Sequence, residues 1–250
     1  MRGRNINEWI WFVILLGFSY YIYDLIVTDK IIIFIHPKMI QYVYFSLGVF
    51  ILLSFFQFKR LFRKSKGAPL KIGYIVFLIP LVLGFGVNPQ GISSNVAAKK
   101  GVTMNQSTGA ISIQGGQTDI PDFIQEGMVV FDDANFYYAL YDMMENIEHY
   151  KGNKVMISGF VFKEDDFPPD QFVVARMLLS CCAADAQVVG LLSSWEGANT
   201  LEKDQWVRVM GTIDVTNFYD KYLGQDHEVP VIHVESVEPI EKPAAQYIYP

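Results

Sequence analysis

The sequence is short of charge. Lys, Arg, Asp and Glu make up 18% of its 250 residues, against about 25% in an ordinary soluble domain. It is also short of cysteine. Cys181 and Cys182 stand side by side and are the only two, so no disulfide framework can be built from them. No G-x-S-x-G, H-E-x-x-H, phosphate-binding P-loop or dinucleotide fingerprint occurs anywhere in the chain, and the expectation is a protein that is not an enzyme. What the chain has in excess is apolar surface, with 51% hydrophobic and 15% aromatic residues. That content excludes intrinsic disorder. The charge that exists is unevenly placed. Residues 1–87 hold ten Lys/Arg against three Asp/Glu, and residues 88–250 hold ten against twenty-three. Such asymmetry points to two halves in two environments.

Three apolar runs account for the first half: residues 9–27, 39–58 and 70–87. Each is close to the ~20 residues with which an α-helix crosses ~30 Å of hydrocarbon. None carries the polar stripe of a soluble amphipathic helix. A helix is the expected state of each, because backbone groups in lipid must be satisfied within the segment. Lys59, Arg60, Arg63, Lys64 and Lys66 lie between the second and third runs and Lys71 at the start of the third, whereas only Lys30 and Lys38 lie between the first and second. Lys/Arg bias sets orientation. The N-terminus and the Lys59–Lys71 loop are therefore expected in the cytoplasm, and everything after Val87 on the outer side of the cell membrane. Trp9, Trp11, Tyr20, Tyr21 and Tyr23 near the ends of the first run read as an interfacial aromatic belt.

Residues 88–118 are rich in Gly, Ser, Asn, Gln and Thr and read as a flexible tether with one short strand at Ala110–Ile113. Beyond it, Asp132, Asp133 and Asn135 precede an amphipathic run from Phe136 to Tyr150, which Lys151-Gly152 ends. This pattern predicts one capped helix. The period then changes from helical to two. Strands are predicted at Val155–Phe162, Phe172–Leu179, Val188–Leu192, Trp206–Val215 and Val229–Ile240, with turn residues between them. Gly159 and Gly211 lie inside strands, where glycine marks a bulge or sharp bend. The expected architecture of residues 119–250 is an external all-β, OB-like five-stranded barrel capped by one N-terminal helix. The domain bearing it belongs to the acidic half, so its charge argues against nucleic acid, whose affinity comes largely from Lys and Arg.

One stretch stands out chemically: Arg176-Met-Leu-Leu-Ser-Cys181-Cys182-Ala-Ala-Asp185. Two thiols and a carboxylate fall at a strand-to-strand turn, and Arg176 interrupts an apolar strand. Arg176 and Asp185 are expected to pair across the hairpin. The thiols admit three readings. They are two small packed cysteines, or a strained, easily reduced vicinal disulfide, or ligands for zinc or copper together with Asp185, His227 and His233.

The Cys181-Cys182-Ala183-Ala184-Asp185-Ala186 segment is similar to the Cys-Cys-x-Ala-Asp-Ala signature of the YcgQ-like family of permease subunits. The similarity extends to Asn135-Phe136-Tyr137, Gly152, Gly159-Phe160-Val161, Arg176, Gly190-Leu191, Trp206-Val207, Gly211 and the C-terminal Tyr247-Ile248-Tyr249. The resemblance implies an accessory subunit acting with a multi-span permease and implies no catalytic residue. The candidate site residues are thus Cys181, Cys182, Asp185 and Arg176, with His227 and His233 as further metal ligands. The expected function is a membrane-anchored accessory subunit of a two-component permease. The alternatives are an independent envelope module binding a metal ion or glycan, and a vicinal-thiol redox protein.

Overall fold

The computed structural model describes residues 6–62, 73–86, 123–164, 167–220, 224–243 and 245–250. The chain divides into two compact units, one helical and one built on a mixed sheet. In the helical unit, α1 (Ile6–Val27) and α2 (Ile40–Leu61) are 22 residues each. Both are long and apolar enough to cross a membrane. The third expected span is described as α3 (Tyr74–Gly86), an apolar helix of 13 residues with Pro80 inside it. The ends of that run, the tether at 88–118 and the strand at Ala110–Ile113 lie outside the described residues.

Aromatic rings and small residues join these helices. Phe12 and Phe18 of α1 meet Phe58 and Phe50 of α2 at 5.8 and 5.9 Å. At the same interface Gln57 donates to the Glu8 carboxylate at 2.6 Å. Against α3 the fit is closer. A Cβ at Gly17 would lie 2.6 Å from Leu81, and one at Gly84 would lie 2.9 Å from the Tyr21 ring. Three of the aromatic residues read as an interfacial belt also pack on α3. Trp11 packs on Tyr74 and Phe77 at 5.3 Å, and Tyr20 and Tyr21 pack on Phe85. These rings serve helix packing because α3 lies against that side of α1.

The second unit starts with a two-residue hairpin between β1 (Ile124–Gln125) and β2 (Met128–Val130). Glu126 and Gly127 both have positive φ, 52° and 76°, which a tight hairpin turn of this twist requires. The predicted helix forms in two pieces, α4 (Phe136–Glu145) and α5 (Ile147–Tyr150), broken at Asn146. Its start is not capped by Asn135. Asp132 Oδ1 accepts the N–H groups of Ala134 and Asn135, and the Asn135 amide donates to the carbonyl of Val130. Phe136, Tyr137, Ala139, Leu140 and Met143 of α4 are buried and join the core of the sheet.

Five longer strands follow: β3 (Lys154–Phe162), β4 (Gln171–Leu178), β5 (Gln187–Ser194), β6 (Trp206–Asp220) and β7 (Gln225–Pro239), with β8 (Tyr247–Ile248) at the C-terminal end. The sheet order is β1-β2-β3-β6-β7-β5-β4-β8, and β3 also pairs with β4. Among the five longer strands only β5–β7 is parallel. Strand β3 changes partner along its length. It faces β6 up to Phe160 and β4 from Phe160 to Phe162. Its burial alternates until Ile157 and is continuous from Gly159 onwards, so the period-two signal fades where the second neighbour arrives. The expected strand irregularity at Gly211 is a register shift between Met210 and Gly211.

Glycine is required where β4 and β5 run closest. A Cβ on Gly190 would fall 2.2 Å from the carbonyl oxygen of Val174 and 2.8 Å from Cα of Ala175. Backbone cannot yield as a side-chain tip can. Gly190→Ala is expected to cost about 1–3 kcal/mol, the range for overpacking a dense interior. Urea unfolding of the full chain followed by tryptophan fluorescence checks this. An unchanged midpoint would contradict the close approach of the two strands.

Candidate functional site

The candidate site is the turn from β4 to β5. The strands pair antiparallel down to Leu178 opposite Gln187, leaving residues 179–186 to reverse the chain. The end of β4 is held by the C-terminal strand. Met177 and Leu178 register with Tyr247 and Ile248, and Leu179 donates its N–H to the Ile248 carbonyl at 3.0 Å. The turn closes through Ala183–Asp185, a single 3-10 turn. Asp185 Oδ1 accepts the Ser180 N–H at 3.2 Å, which brings the carboxylate back over the start of the turn.

The result is a convergence of three ligand-type atoms. The Sγ atoms of Cys181 and Cys182 are 3.6 Å apart. Together with a carboxylate oxygen of Asp185 they lie within 4.8 Å of one another. No disulfide joins the two thiols. Cys181 is exposed and Cys182 and Asp185 are half-buried. A cysteine kept only for packing is normally among the most buried residues of a protein, so exposure counts against that reading.

Arg176 takes a different place from the one expected. It is 3% exposed, and its Nη1 pairs with Asp133 at 2.7 Å rather than with Asp185. Nη2 donates to the Ala245 carbonyl at 3.0 Å. The guanidinium also lies over the rings of Phe136 and Trp206, at 5.8 and 5.2 Å from their centroids. The physical reason is reach. The side chain points into the core below α4, whereas Asp185 is engaged at the turn. Asp133 was read in sequence only as part of a helix start. The signal that could have found it was the lone Arg in an apolar strand, since a buried cation requires an acceptor somewhere.

The two histidines are not part of the thiol cluster. His233 Nε2 lies 3.4 Å from Asp214 Oδ2, and Lys151 approaches the other oxygen of Asp214 at 3.3 Å. The Val215 N–H, and then Lys151 and His233, hold the Asp214 carboxyl below the usual aspartate range. His227 is half-buried beside Phe218, with 6.4 Å between ring centroids. Both histidines sit on β7, and the strand register carries them to these neighbours rather than to the β4–β5 turn.

The profile described as the DUF1980 C-terminal domain matches residues 113–250, more than half of the chain, and the DUF1980 N-terminal domain matches residues 10–103. The chain belongs to the DUF1980 family. It is also similar to the UPF0703 protein YcgQ of Bacillus subtilis (strain 168), at 24% identity over 207 residues, covering 70% of this chain and 67% of that protein. The YcgQ-like resemblance is thereby borne out for the chain, and the Cys181-Cys182 pair is consistent with its signature. Solved structures to which the chain is similar include the small single-stranded DNA-binding protein of Streptomyces coelicolor, at 12% identity and TM-score 0.25 over 36% of this chain and 94% of that one. The mitochondrial single-stranded DNA-binding protein Rim1 of S. cerevisiae matches at 11% identity and TM-score 0.24, over 36% and 97%. These are OB-like neighbours.

In this DUF1980 protein the Arg176–Asp133 pair is unequal, because Asp133 is 55% exposed. Removing the arginine leaves a carboxylate that water can reach. Removing the carboxylate's charge leaves a buried guanidinium without its counter-ion. Asp133→Asn is therefore expected to lose about 2 kcal/mol or more, and Arg176→Met less. Urea midpoints of the two variants of the full chain check the order. The reverse order would mean that Arg176 acts chiefly through packing.

Proposed function

We propose that this protein is a membrane-anchored accessory subunit of a two-component permease. In this reading α1, α2 and a third span built around α3 cross the cell membrane, with the N-terminus in the cytoplasm. Residues 119–250 form an external domain, tethered through 88–118, that gates or feeds the partner's outer opening. Its fold is a helix-capped OB-type barrel. The pairings β3–β6–β7–β5–β4 and back to β3 support this, including the one parallel pair. The acidic charge of this half argues against nucleic acid as its ligand, and the domain acts by binding rather than by catalysis.

The observation that carries this reading is one face of α2. Only Ser54 and Gln57 are buried among its described residues. Around Gly48, at helical spacing, Tyr44, Phe45, Ile51, Leu52 and Phe55 are each more than half exposed. A Cβ at Gly48 would meet nothing within 4 Å. Lipid covers apolar side chains equally well, but a small residue centred among large ones is what allows a second helix to approach closely in a membrane. Gly17 and Gly84 already serve that purpose towards Leu81 and Tyr21, which leaves Gly48 for a partner.

A second reading has its own observation. The Cys181, Cys182 and Asp185 cluster supports an anchored metal-binding module that works without a permease. Affinity purification of the full chain in mild detergent, followed by mass spectrometry, separates the two. A multi-span membrane protein should co-purify with the native chain and be lost from Gly48→Leu, while that variant still inserts in the membrane. Absence of such a partner from the native chain would overturn the permease reading in favour of the independent module.

A further inference from the structure

We infer that the β4–β5 turn is an exchangeable site for a tetrahedral, thiophilic divalent cation of the zinc class, held by Cys181, Cys182 and Asp185 with one coordination position left open. The inference rests on the second reading above, in which the Cys181, Cys182 and Asp185 cluster binds a metal, and it names the class of ion.

The first argument is the distance between the sulfurs. Two thiolates bound to zinc at ~2.3 Å and a tetrahedral angle stand ~3.8 Å apart. The same bonds in line across a two-coordinate ion would place them ~4.6 Å apart. The observed 3.6 Å suits the tetrahedral case and leaves a linear, copper(I)-type arrangement poorly matched. The second argument is the third ligand. Asp185 brings a carboxylate oxygen within 4.8 Å of both sulfurs, and its other constraint, the Ser180 N–H on Oδ1, orients the carboxylate as a hydrogen-bond donor beyond the first ligands commonly does.

The third argument is openness. A structural zinc site has four protein ligands and is closed, whereas a site with three protein ligands keeps a position for water or an incoming ligand. Here Cys181 is exposed and the other two ligands are half-buried, so a second molecule can reach the ion. His227 and His233, either of which would have closed a four-ligand site, lie against Phe218 and Asp214. Such a site suits transfer rather than storage. Binding takes up one M²⁺ and releases the two thiol protons, giving a bis-thiolate, monocarboxylate complex of net charge −1 with water as the fourth ligand. Protons and metal compete for the sulfurs, so affinity falls as pH is lowered.

The test is titration of the reduced full chain in detergent with cobalt(II), a spectroscopic substitute for zinc. One equivalent should produce a sulfur-to-cobalt charge-transfer band together with the intense visible bands of four-coordinate cobalt, and zinc should abolish both. Cys181→Ser and Cys182→Ser should each lose the four-coordinate spectrum. Asp185→Asn should weaken binding by about tenfold or more, since even groups one shell out from a metal are worth that much. Alkylation of the thiols in the folded native chain should have the same effect as the serine variants and does not depend on their folding. The absence of a charge-transfer band from the native chain, or its survival after alkylation, would overturn the inference. Cobalt binding without a co-purifying membrane partner supports the site and removes the permease reading. A partner without a cobalt band removes the site and supports the permease reading.

Discussion

The sheet unit is organised around one buried cation. Arg176 is a charge in a strand otherwise apolar from Phe172 to Leu178, and a guanidinium out of water needs compensation, although its Nε is buried without a hydrogen-bond partner. Its compensation is drawn from four parts of the chain. Asp133 comes from the turn before α4, Phe136 from the first residue of that helix, Trp206 from the start of β6, and Ala245 from the C-terminal segment. The requirement of a single side chain thus fixes where the helix begins and where the tail must run. The tail then supplies β8, whose Tyr247 and Ile248 extend the sheet beside the end of β4.

The thiol turn inherits its position from that arrangement. β8 holds Leu179 through the Ile248 carbonyl, and the chain leaves the sheet at the next residue. Ser180 then binds Asp185, and the two adjacent cysteines are carried on the arc between them. The pairing of β4 with β5 is itself tight, since the backbone of Val174 and Ala175 occupies the space that a side chain on Gly190 would need. A short turn keeps the three candidate ligand atoms within 4.8 Å of one another, which lowers the ordering cost of binding.

Much of this was legible in the sequence, and the remainder was hidden for definable reasons. The five longer strands fall where the period-two pattern and turn residues put them, because each has a buried face with its own signal. β1, β2 and β8 are two or three residues long, too short to carry any period. β6 runs to Asp220 and β7 begins at Gln225, beyond the apolar stretches, because each strand continues by pairing with the other. The Cys181, Cys182 and Asp185 grouping was visible since all three are local. The Arg176–Asp133 pair was not, because the natural candidate in sequence was the nearer carboxylate, and long-range partners leave no spacing to read. Similarly, nothing in the apolar runs foretold that Gln57 binds Glu8 or that the aromatics of α1 pack on α3.

Two helices long and apolar enough to cross a membrane and the inferred open three-ligand site at the β4–β5 turn meet in one account. Its most direct test is X-ray absorption at the zinc edge on the full chain loaded with one equivalent of zinc in detergent. The account predicts two sulfur scatterers at ~2.3 Å and two lighter oxygen scatterers at ~2.0–2.2 Å. A shell of oxygen and nitrogen alone, or one of four sulfurs shared between two chains, would contradict it.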